Sequence, residues 1–249
     1  MQLLTAFCPC ILTSRIQLKF NIFPMTHARV SAILVAGGRG LRMNMPIPKQ
    51  FLTLQGIPVA LHSFHTLCAC EEIFEVVVVC DSSYSTLFTT HSHKKIKFAT
   101  PGDRRQDSVQ HGLDEVSLEA TLICIHDSAR PFLSPFDLKN VIAEANVHGA
   151  AVLANPVKHT IKEANDQRCV KRTLDRSILW EIYTPQIMTP QLLKEGFAAA
   201  DASNFSVTDD ASLVELLDHP VKLVQGVSSQ LKITTPEDWT LAQSLALSS

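Results

Sequence analysis

Val30-Ser31-Ala32-Ile33-Leu34-Val35 runs directly into Ala36-Gly37-Gly38-Arg39-Gly40-Leu41-Arg42-Met43-Asn44-Met45-Pro46-Ile47-Pro48-Lys49-Gln50-Phe51. The first six residues are apolar apart from Ser31, the pattern of a strand buried on both faces of a parallel sheet. The stretch that follows holds three of the nine glycines and three cations, Arg39, Arg42 and Lys49, with no acidic residue. Glycine has no Cβ and tolerates positive φ, so a backbone rich in it can approach a ligand closely. Fixed N–H donors beside cationic side chains make a site for a polyanion, and a nucleoside triphosphate is the ligand expected.

Two commoner phosphate loops fail on spacing. A Walker A loop needs Gly, four residues and then Gly-Lys-Ser/Thr, which is missing here. A dinucleotide fingerprint counted from Gly38 and Gly40 puts Met43 where its third glycine belongs. Pro46 and Pro48 restrict themselves and their predecessors, so no long helix opens at this point. The loop therefore stays extended and carries Lys49 back toward the phosphates. A surface glycine turn with solvated cations is the alternative reading of the same residues.

Beyond the loop, strand and helix patterns alternate. Residues 58–70 place Val59, Leu61, Phe64, Leu67 and Cys68 at near-helical spacing, 74–80 form a short, very apolar strand, 82–90 a helix and 97–99 a third strand. Residues 105–116 read as a helix with Val109, Leu113 and Val116 inward, and 121–125 as a buried strand ending at His126-Asp127. Residues 135–148 form a helix with Pro135 in its first turn, and 150–154 begin a further strand. This alternation specifies an α/β fold, a doubly wound, mostly parallel sheet covered on both faces. Ligands in such sheets sit at the carboxyl ends of strands. Three of those ends carry phosphate-compatible residues: the glycine loop, Asp103 with Ser108, and Asp127 through Arg130.

Residues 155–186 break the alternation. Segments 157–162 and 169–174 read as two short strands around the polar turn Glu163-Ala164-Asn165-Asp166-Gln167, an arm over about residues 155–176. Two strands alone are only marginally stable, so a projecting hairpin needs a partner surface; an edge hairpin folded onto its own domain is the alternative. Near the carboxyl terminus, Thr234-Thr235-Pro236-Glu237-Asp238 is a helix start, with proline and acids in the first turn.

The chain has 249 residues, 46% apolar and 18% charged, which suits a globular enzyme with a large core; a single domain over 25–249 is expected. A net charge of −2 gives no reason to expect a nucleic-acid partner. The seven cysteines lack metal-ligand spacing: Cys8-Pro9-Cys10 and Cys68-Ala69-Cys70 stand without a second pair or a nearby His. Cys80 and Cys124 lie in apolar runs as small hydrophobes, and the reducing cytoplasm is the simplest home. In residues 1–24 no apolar run approaches the roughly 20 residues a membrane span needs. Arg15 and Lys19 follow the apolar part instead of preceding it, contrary to a signal peptide. With Met25 just ahead of the first strand, residues 1–24 are expected to be a disordered tail or a mis-called translation start.

Six segments taken in order carry a family resemblance. Ala36-Gly37-Gly38-x-Gly40-x-Arg42-Met43 with Pro48-Lys49-Gln50-Phe51, Pro101-Gly102-Asp103-Arg104-Arg105-Gln106-Asp107-Ser108-Val109, and His126-Asp127-Ser128-Ala129-Arg130-Pro131 come first. Residues 176–186, Thr208-Asp209-Asp210-Ala211-Ser212, and Lys232-Ile233-Thr234-x-Pro236-Glu237-Asp238 follow. Over about residues 30–245 the chain resembles the nucleotidyltransferases of sugar-nucleotide type, and among them the 2-C-methyl-D-erythritol 4-phosphate cytidylyltransferases of isoprenoid synthesis. The resemblance implies a nucleotidyltransferase Rossmann-like fold and transfer of a cytidylyl group from CTP to the methylerythritol phosphate, releasing pyrophosphate, with Mg²⁺. It also implies a homodimer in which the hairpin arm crosses to the neighbouring subunit's substrate site. The competing readings are a ribitol-5-phosphate cytidylyltransferase and a nucleotide-binding module without catalysis.

In such a reaction the attacking phosphate oxygen is already anionic, so catalysis must bring two anions together and stabilise charge on the transferring group. Arg42 and Lys49 are the first choices for that task; Arg39 sits at a variable position. The resemblance implies that Ala36, Gly37, Gly38, Gly40 and Ser128 contact the nucleotide, with Gly102, Asp103 and Ser108 near cytosine and ribose. Ser128 stands where the family commonly has Ala, which leaves backbone contacts intact. Asp127, an acid emerging from an apolar strand onto the ligand edge, is the expected Mg²⁺ ligand, with a helix N-cap as its alternative. Arg130 either bridges phosphates or pairs with Asp127, and His126 is read as a structural hydrogen-bonder. For the acceptor, the resemblance implies Arg176 and Lys232 as the charge clamp, with Asp127, Arg130, Thr160, Thr184 and Thr208 around it.

Overall fold

The computed structural model describes residues 28–38, 40, 43, 47–89, 93–203, 205, 207–227 and 230–247. The expectations for residues 1–24, Arg39 and Arg42 lie outside the described residues.

Strand β1, Val30–Val35, is buried along almost its whole length. The chain then makes the two-residue strands β2 (Thr53–Leu54) and β3 (Ile57–Pro58), helix α1 (Val59–Ala69) and strand β4 (Ile73–Val79). Next come α2 (Thr86–Thr89), β5 (Lys95–Ala99), α3 (Arg105–Asp114), β6 (Leu122–Asp127), α4 (Pro135–His148) and β7 (Ala150–Pro156). The arm supplies β8 (Lys162–Ala164) and β9 (Val170–Thr173). The chain closes with β10 (Trp180–Met188), α5 (Pro190–Ser203), α6 (Ala211–Glu215), β11 (Lys222–Gln225) and α7 (Pro236–Leu247).

Seven strands form one sheet in the order β11-β7-β10-β6-β1-β4-β5. All its pairings are parallel except those of β10, which runs antiparallel between β6 and β7. The mostly parallel α/β sheet is therefore as the alternation of patterns specified. Side-chain parity divides the core between the two faces. Ala32, Leu34, Val76, Val78 and Cys124 pack with α1 and α4 through Phe64, Leu67, Leu138 and Val141. Ile33, Val77, Val79, Ile123 and Ile125 pack with α3 and α5 through Val109, Leu113, Leu193 and Phe197. Helix α4 is bounded as its sequence dictates: Ser134 caps it by accepting from the Phe136 N–H at 3.2 Å, Pro135 opens it, and Gly149 closes it at φ 81°.

At the amino-terminal edge of the sheet sits a buried acid the sequence reading did not single out. Glu75 of β4 accepts from Ser31 Oγ at 2.8 Å, Ser117 N at 2.7 Å and Ser117 Oγ at 2.6 Å, with Lys97 Nζ at 3.3 Å. Burial raises its carboxyl, but the Ser117, Ser31 and Lys97 donors outweigh that and hold it below the usual range.

Two local expectations are corrected. Residues 82–89 are not one helix: Asp81 accepts from the Ser83 N–H at 2.9 Å, stabilising a 3₁₀ turn over Ser82–Tyr84 before the short α2. The arm strands are shorter than expected, and the first, β8, lies nearer the tip. Asn165 Oδ1 accepts from the Cys169 N–H at 2.8 Å, the Arg168 N–H donates to the Asn165 carbonyl at 2.9 Å, and Arg168 takes φ 60°. That side-chain-closed turn is tighter than the polar run suggested, so the strands meet over Lys162–Ala164 and Val170–Thr173.

Candidate active site

Register brings four strand ends level. Asp127 of β6 pairs with Val35 of β1, Val35 with Val79 of β4, and Val79 with Ala99 of β5. The residues that follow each of these ends, Ser128, Ala36, Cys80 and Thr100, therefore leave the sheet along one edge.

The glycine loop is tied to that edge. The Ala36 N–H donates to the Val79 carbonyl at 2.9 Å, and Gln50 Nε2 donates to the carbonyls of Ala36 at 2.7 Å and Gly38 at 2.8 Å. Gln50 is 2% exposed, so a buried amide two residues after Pro48 ties Ala36 and Gly38 to the turn that carries Lys49. Lys49 opens the 3₁₀ turn Lys49–Phe51, and its backbone lies against Gly40, which takes φ +65°. A Cβ on Gly37 would stand 2.4 Å from Pro101 Cβ, so the loop and the end of β5 can approach only through glycine.

Gly102 follows the same logic, since its Cβ would meet Asp107 Cβ at 2.3 Å. Its N–H donates to Ser108 Oγ at 3.0 Å, and Asp107 Oδ2 accepts from the Arg104 N–H at 2.9 Å at the start of α3. Asp103 is exposed beside them. Ser128 donates its hydroxyl to the Val35 carbonyl at 2.8 Å.

Asp127 is the electrostatic centre. Arg105 Nε is 3.0 Å from its Oδ1, while Lys232 Nζ at 2.7 Å and Arg130 Nε at 3.6 Å face Oδ2. Arg105 also grips Asp210 with two bonds of 2.9 and 2.8 Å. Burial raises the Asp127 carboxyl, but the Arg105, Lys232 and Arg130 charges overcome it and hold the group far below the usual carboxylate range. Three cations thus share two carboxylates. The buried Nε of Arg130 lies within ion-pair range of Asp127 but makes no hydrogen bond, and its guanidinium sits 5.3 Å from the Tyr183 ring.

Behind this cluster the Asp127 N–H donates to Thr184 Oγ1 at 3.1 Å, and that hydroxyl lies 3.1 Å from His126 Nδ1. His126 Nε2 is 3.2 Å from the Arg130 carbonyl. Burial lowers the His126 pKa to about 4, so the ring is neutral. The arrangement is consistent with Nε2 carrying the proton and Nδ1 accepting from Thr184. His126 is thus the structural hydrogen-bonder expected of it.

The sequence-derived residues separate into two groups. Ala36, Gly37, Gly38, Gly40, Lys49, Gly102, Asp103, Ser108, Asp127, Ser128, Arg130, Thr184 and Lys232 follow or flank the level strand ends. Arg176 and Thr160 lie exposed on the arm, where Arg176 Nη1 donates to the Lys158 carbonyl at 2.8 Å. Thr208 is exposed two residues before Asp210. Sequence reasoning left Arg105 open and did not single out Gln50, Asp210 or Gln186. Gln186 takes the Ala211 N–H on Oε1 at 2.8 Å and donates to Asp209 at 2.9 Å. The signal for Arg105 was its helix-start position facing the sheet edge; of the acids it binds, Asp127 was marked by its strand end, but nothing local marked Asp210, which lies 105 residues away.

A mostly parallel sheet whose carboxyl edge carries a glycine loop and clustered cations is a site suited to a polyanionic ligand, the class of site a nucleotidyltransferase needs. The pattern of the IspD family, 2-C-methyl-D-erythritol 4-phosphate cytidylyltransferase, matches residues 30–247. A relative from Oryza sativa subsp. japonica, named as the chloroplastic enzyme of that name, is 50% identical over 219 residues, 87% of this chain and 74% of that protein. The Chlamydia pneumoniae enzyme is 43% identical over 215 residues, 86% of this chain and 98% of its own length. A solved 4-diphosphocytidyl-2C-methyl-D-erythritol synthase from Anaerococcus prevotii superposes with a TM-score of 0.80 at 29% identity, covering 89% of this chain and 97% of that one. The enzyme from Thermus thermophilus gives 0.71 at 31% identity, covering 87% and 98%. The chain belongs to the 2-C-methyl-D-erythritol 4-phosphate cytidylyltransferase family.

Proposed function

We propose that this chain transfers the cytidylyl group of CTP to 2-C-methyl-D-erythritol 4-phosphate. An oxygen of the acceptor phosphate forms a bond to the α-phosphorus. The bond from that phosphorus to the oxygen bridging it to the β-phosphate breaks, and pyrophosphate leaves with its electron pair. The observation that carries the reading is the surplus of cations around Asp127: three face it, two acids answer them, and a buried Arg130 donor has no hydrogen bond. Partly buried cations that outnumber their acids suit a site that receives an anion.

In this reading the glycine loop from Ala36 to Gly40 holds the triphosphate, and Arg42 and Lys49 stabilise charge on the transferring group. Gly102, Asp103, Ser108 and Ser128 border the cytidine. Lys232, Arg130, Asp127, Thr184 and Thr208 form the acceptor site with Arg176 and Thr160 of an arm. The arm is supplied by the partner of a homodimer. Support for the dimer comes from β9, whose residues are all exposed, and from Val170 and Ile178, exposed by 64% and 75%. Residues 25–249 act as one domain carrying that arm.

A divalent cation, Mg²⁺, is proposed as a companion of the triphosphate, on the charge of that ligand and the Asp127 carboxylate at the sheet edge. Asp127 would hold it, though both carboxylate oxygens already face cations, and the described residues contain no cluster of three or more His, Cys, Asp or Glu arranged to cage a metal. When bound it would neutralise phosphate charge. No described helix is long and apolar enough to cross a membrane. Free thiols at Cys68, Cys70, Cys80, Cys124 and Cys169 support a reducing, cytoplasmic setting.

Assaying pyrophosphate release with CTP, Mg²⁺ and each of two polyol phosphates tests the acceptor. A higher kcat/KM for methylerythritol 4-phosphate is expected, and preference for ribitol 5-phosphate would overturn the assignment.

A further inference from the structure

We propose that Asp137 is a positioning residue for the acceptor site, holding the chain between β11 and α7 so that Lys232 and Arg130 face Asp127. The inference rests on the acceptor-site reading above.

Asp137 lies in the first turn of α4 and is fully buried. A carboxylate in that place ordinarily helps the helix start from solvent, where it keeps its hydration. The cap is already filled, because Ser134 Oγ accepts from the Phe136 N–H at 3.2 Å and the Asp137 N–H at 3.5 Å. The Asp137 carboxylate instead reaches a segment 90 residues further on: Oδ1 accepts from the Val227 N–H at 3.0 Å, and Oδ2 accepts from Gln230 Nε2 at 3.3 Å. A buried carboxylate is tolerated only where such donors replace water.

Gln230 then passes the constraint to the site. Its carbonyl accepts from Arg130 Nη1 at 2.6 Å, and three residues later the Ile233 N–H donates to the Ala129 carbonyl at 2.9 Å. Lys232 is held between these two anchors, and its Nζ stands 2.7 Å from Asp127 Oδ2. Arg130 is thereby fixed by its Gln230 bond on one side and by Asp127 on the other, with its Nε 3.6 Å from Oδ2. Val227 is 72% exposed, so at this residue the anchor is a backbone contact to a buried acid and not packing of its own side chain; further along, Ile233 is held by burial as well as by its Ala129 bond. Loss of Asp137 would let Lys232 and Arg130 drift while leaving the glycine loop untouched.

The test uses the full-length protein. Asp137→Ala is expected to raise the KM for the acceptor phosphate about tenfold or more, since small misplacements of a clamp cost that much or more. The dissociation constant for CTP should stay within about twofold, a split that general destabilisation would not give. Acting through Lys232 as well as Arg130, it should cost less in the Lys232→Ala background than in the parent protein. An unchanged acceptor KM, a rise matched by CTP, or fully multiplicative losses would each overturn the proposal. If Asp137→Ala does not fold, Gln230→Leu keeps α4 and the Val227 bond, and the same results are expected of it. Should Lys232→Ala leave the acceptor KM unchanged, the acceptor-site reading itself falls. Amide exchange then decides for Asp137: faster exchange at Ile233 in Gln230→Leu supports the hold, and an unchanged rate overturns it.

Discussion

Lys49, in the loop after β1, and Glu75, in β4, illustrate how charged side chains at opposite edges of one sheet serve different ends. Lys49 lies at the carboxyl edge against Gly40, where an approaching triphosphate would meet it. Lys49→Ala should lower turnover roughly 10²–10³-fold, the usual cost of losing one donor to a developing charge. Its CTP affinity should change only about threefold, and equal losses in both would move Lys49 from the transition state to ground-state binding. Glu75 lies at the opposite edge with its carboxyl held below the ordinary range by Ser117, Ser31 and Lys97 against the effect of burial. In acid the unfolded chain protonates this group before the folded chain does. Its contribution is therefore complete above the ordinary glutamate value and lost as pH falls through the folded one. Denaturation midpoints from about pH 6 to about pH 3 should fall less steeply in Glu75→Gln than in the parent protein. Parallel slopes would show that Glu75 titrates alike in both states.

Among elements, the loop after β1 and the arm after β7 differ in how much sequence alone reveals. The loop was legible because its requirements are local: glycines, prolines and a lysine within one short segment. A pair of substitutions checks the close approach. Gly37→Ala must move Pro101, whose Cβ would lie 2.4 Å away, whereas nothing lies within 4 Å of a Cβ on Gly38. Gly37→Ala is expected to cost about 1–3 kcal/mol in chemical denaturation, the range for overpacking, and Gly38→Ala far less. Equal effects would refute the contact. The ion network around Asp127 was only half legible, because Arg105, Asp210 and Lys232 meet through β6, α3, α6 and the approach to α7, far apart in the chain. Strand β10 was hidden for a related reason. It enters the middle of the sheet antiparallel from the far side of the arm, and no local pattern announces that direction. Asn165 shortened the arm turn by a side-chain bond that polarity alone does not encode. The arm's role is tested by mixing inactive Lys49→Ala and Arg176→Ala chains. Heterodimers should recover part of the activity if Arg176 serves its neighbour; none, after verified subunit exchange, would mean that each chain completes its own site.

For the whole molecule, the parallel strands β6, β1, β4 and β5 end level, so chemistry carried on separate loops converges without any one loop being long. The two faces of the sheet are filled by separate apolar clusters, which leaves that edge free to carry charge. In the proposed reaction its cation surplus would let a phosphate anion approach a triphosphate, and everything proposed for that reaction depends on it. Tracing the α-phosphate of CTP is the sharpest check of that dependence. With α-labelled CTP, Mg²⁺ and methylerythritol 4-phosphate, the label should appear in the cytidine diphosphate-linked polyol while unlabelled pyrophosphate is released. Label remaining in CTP, or emerging as CMP without acceptor attached, would be incompatible with the proposed transfer.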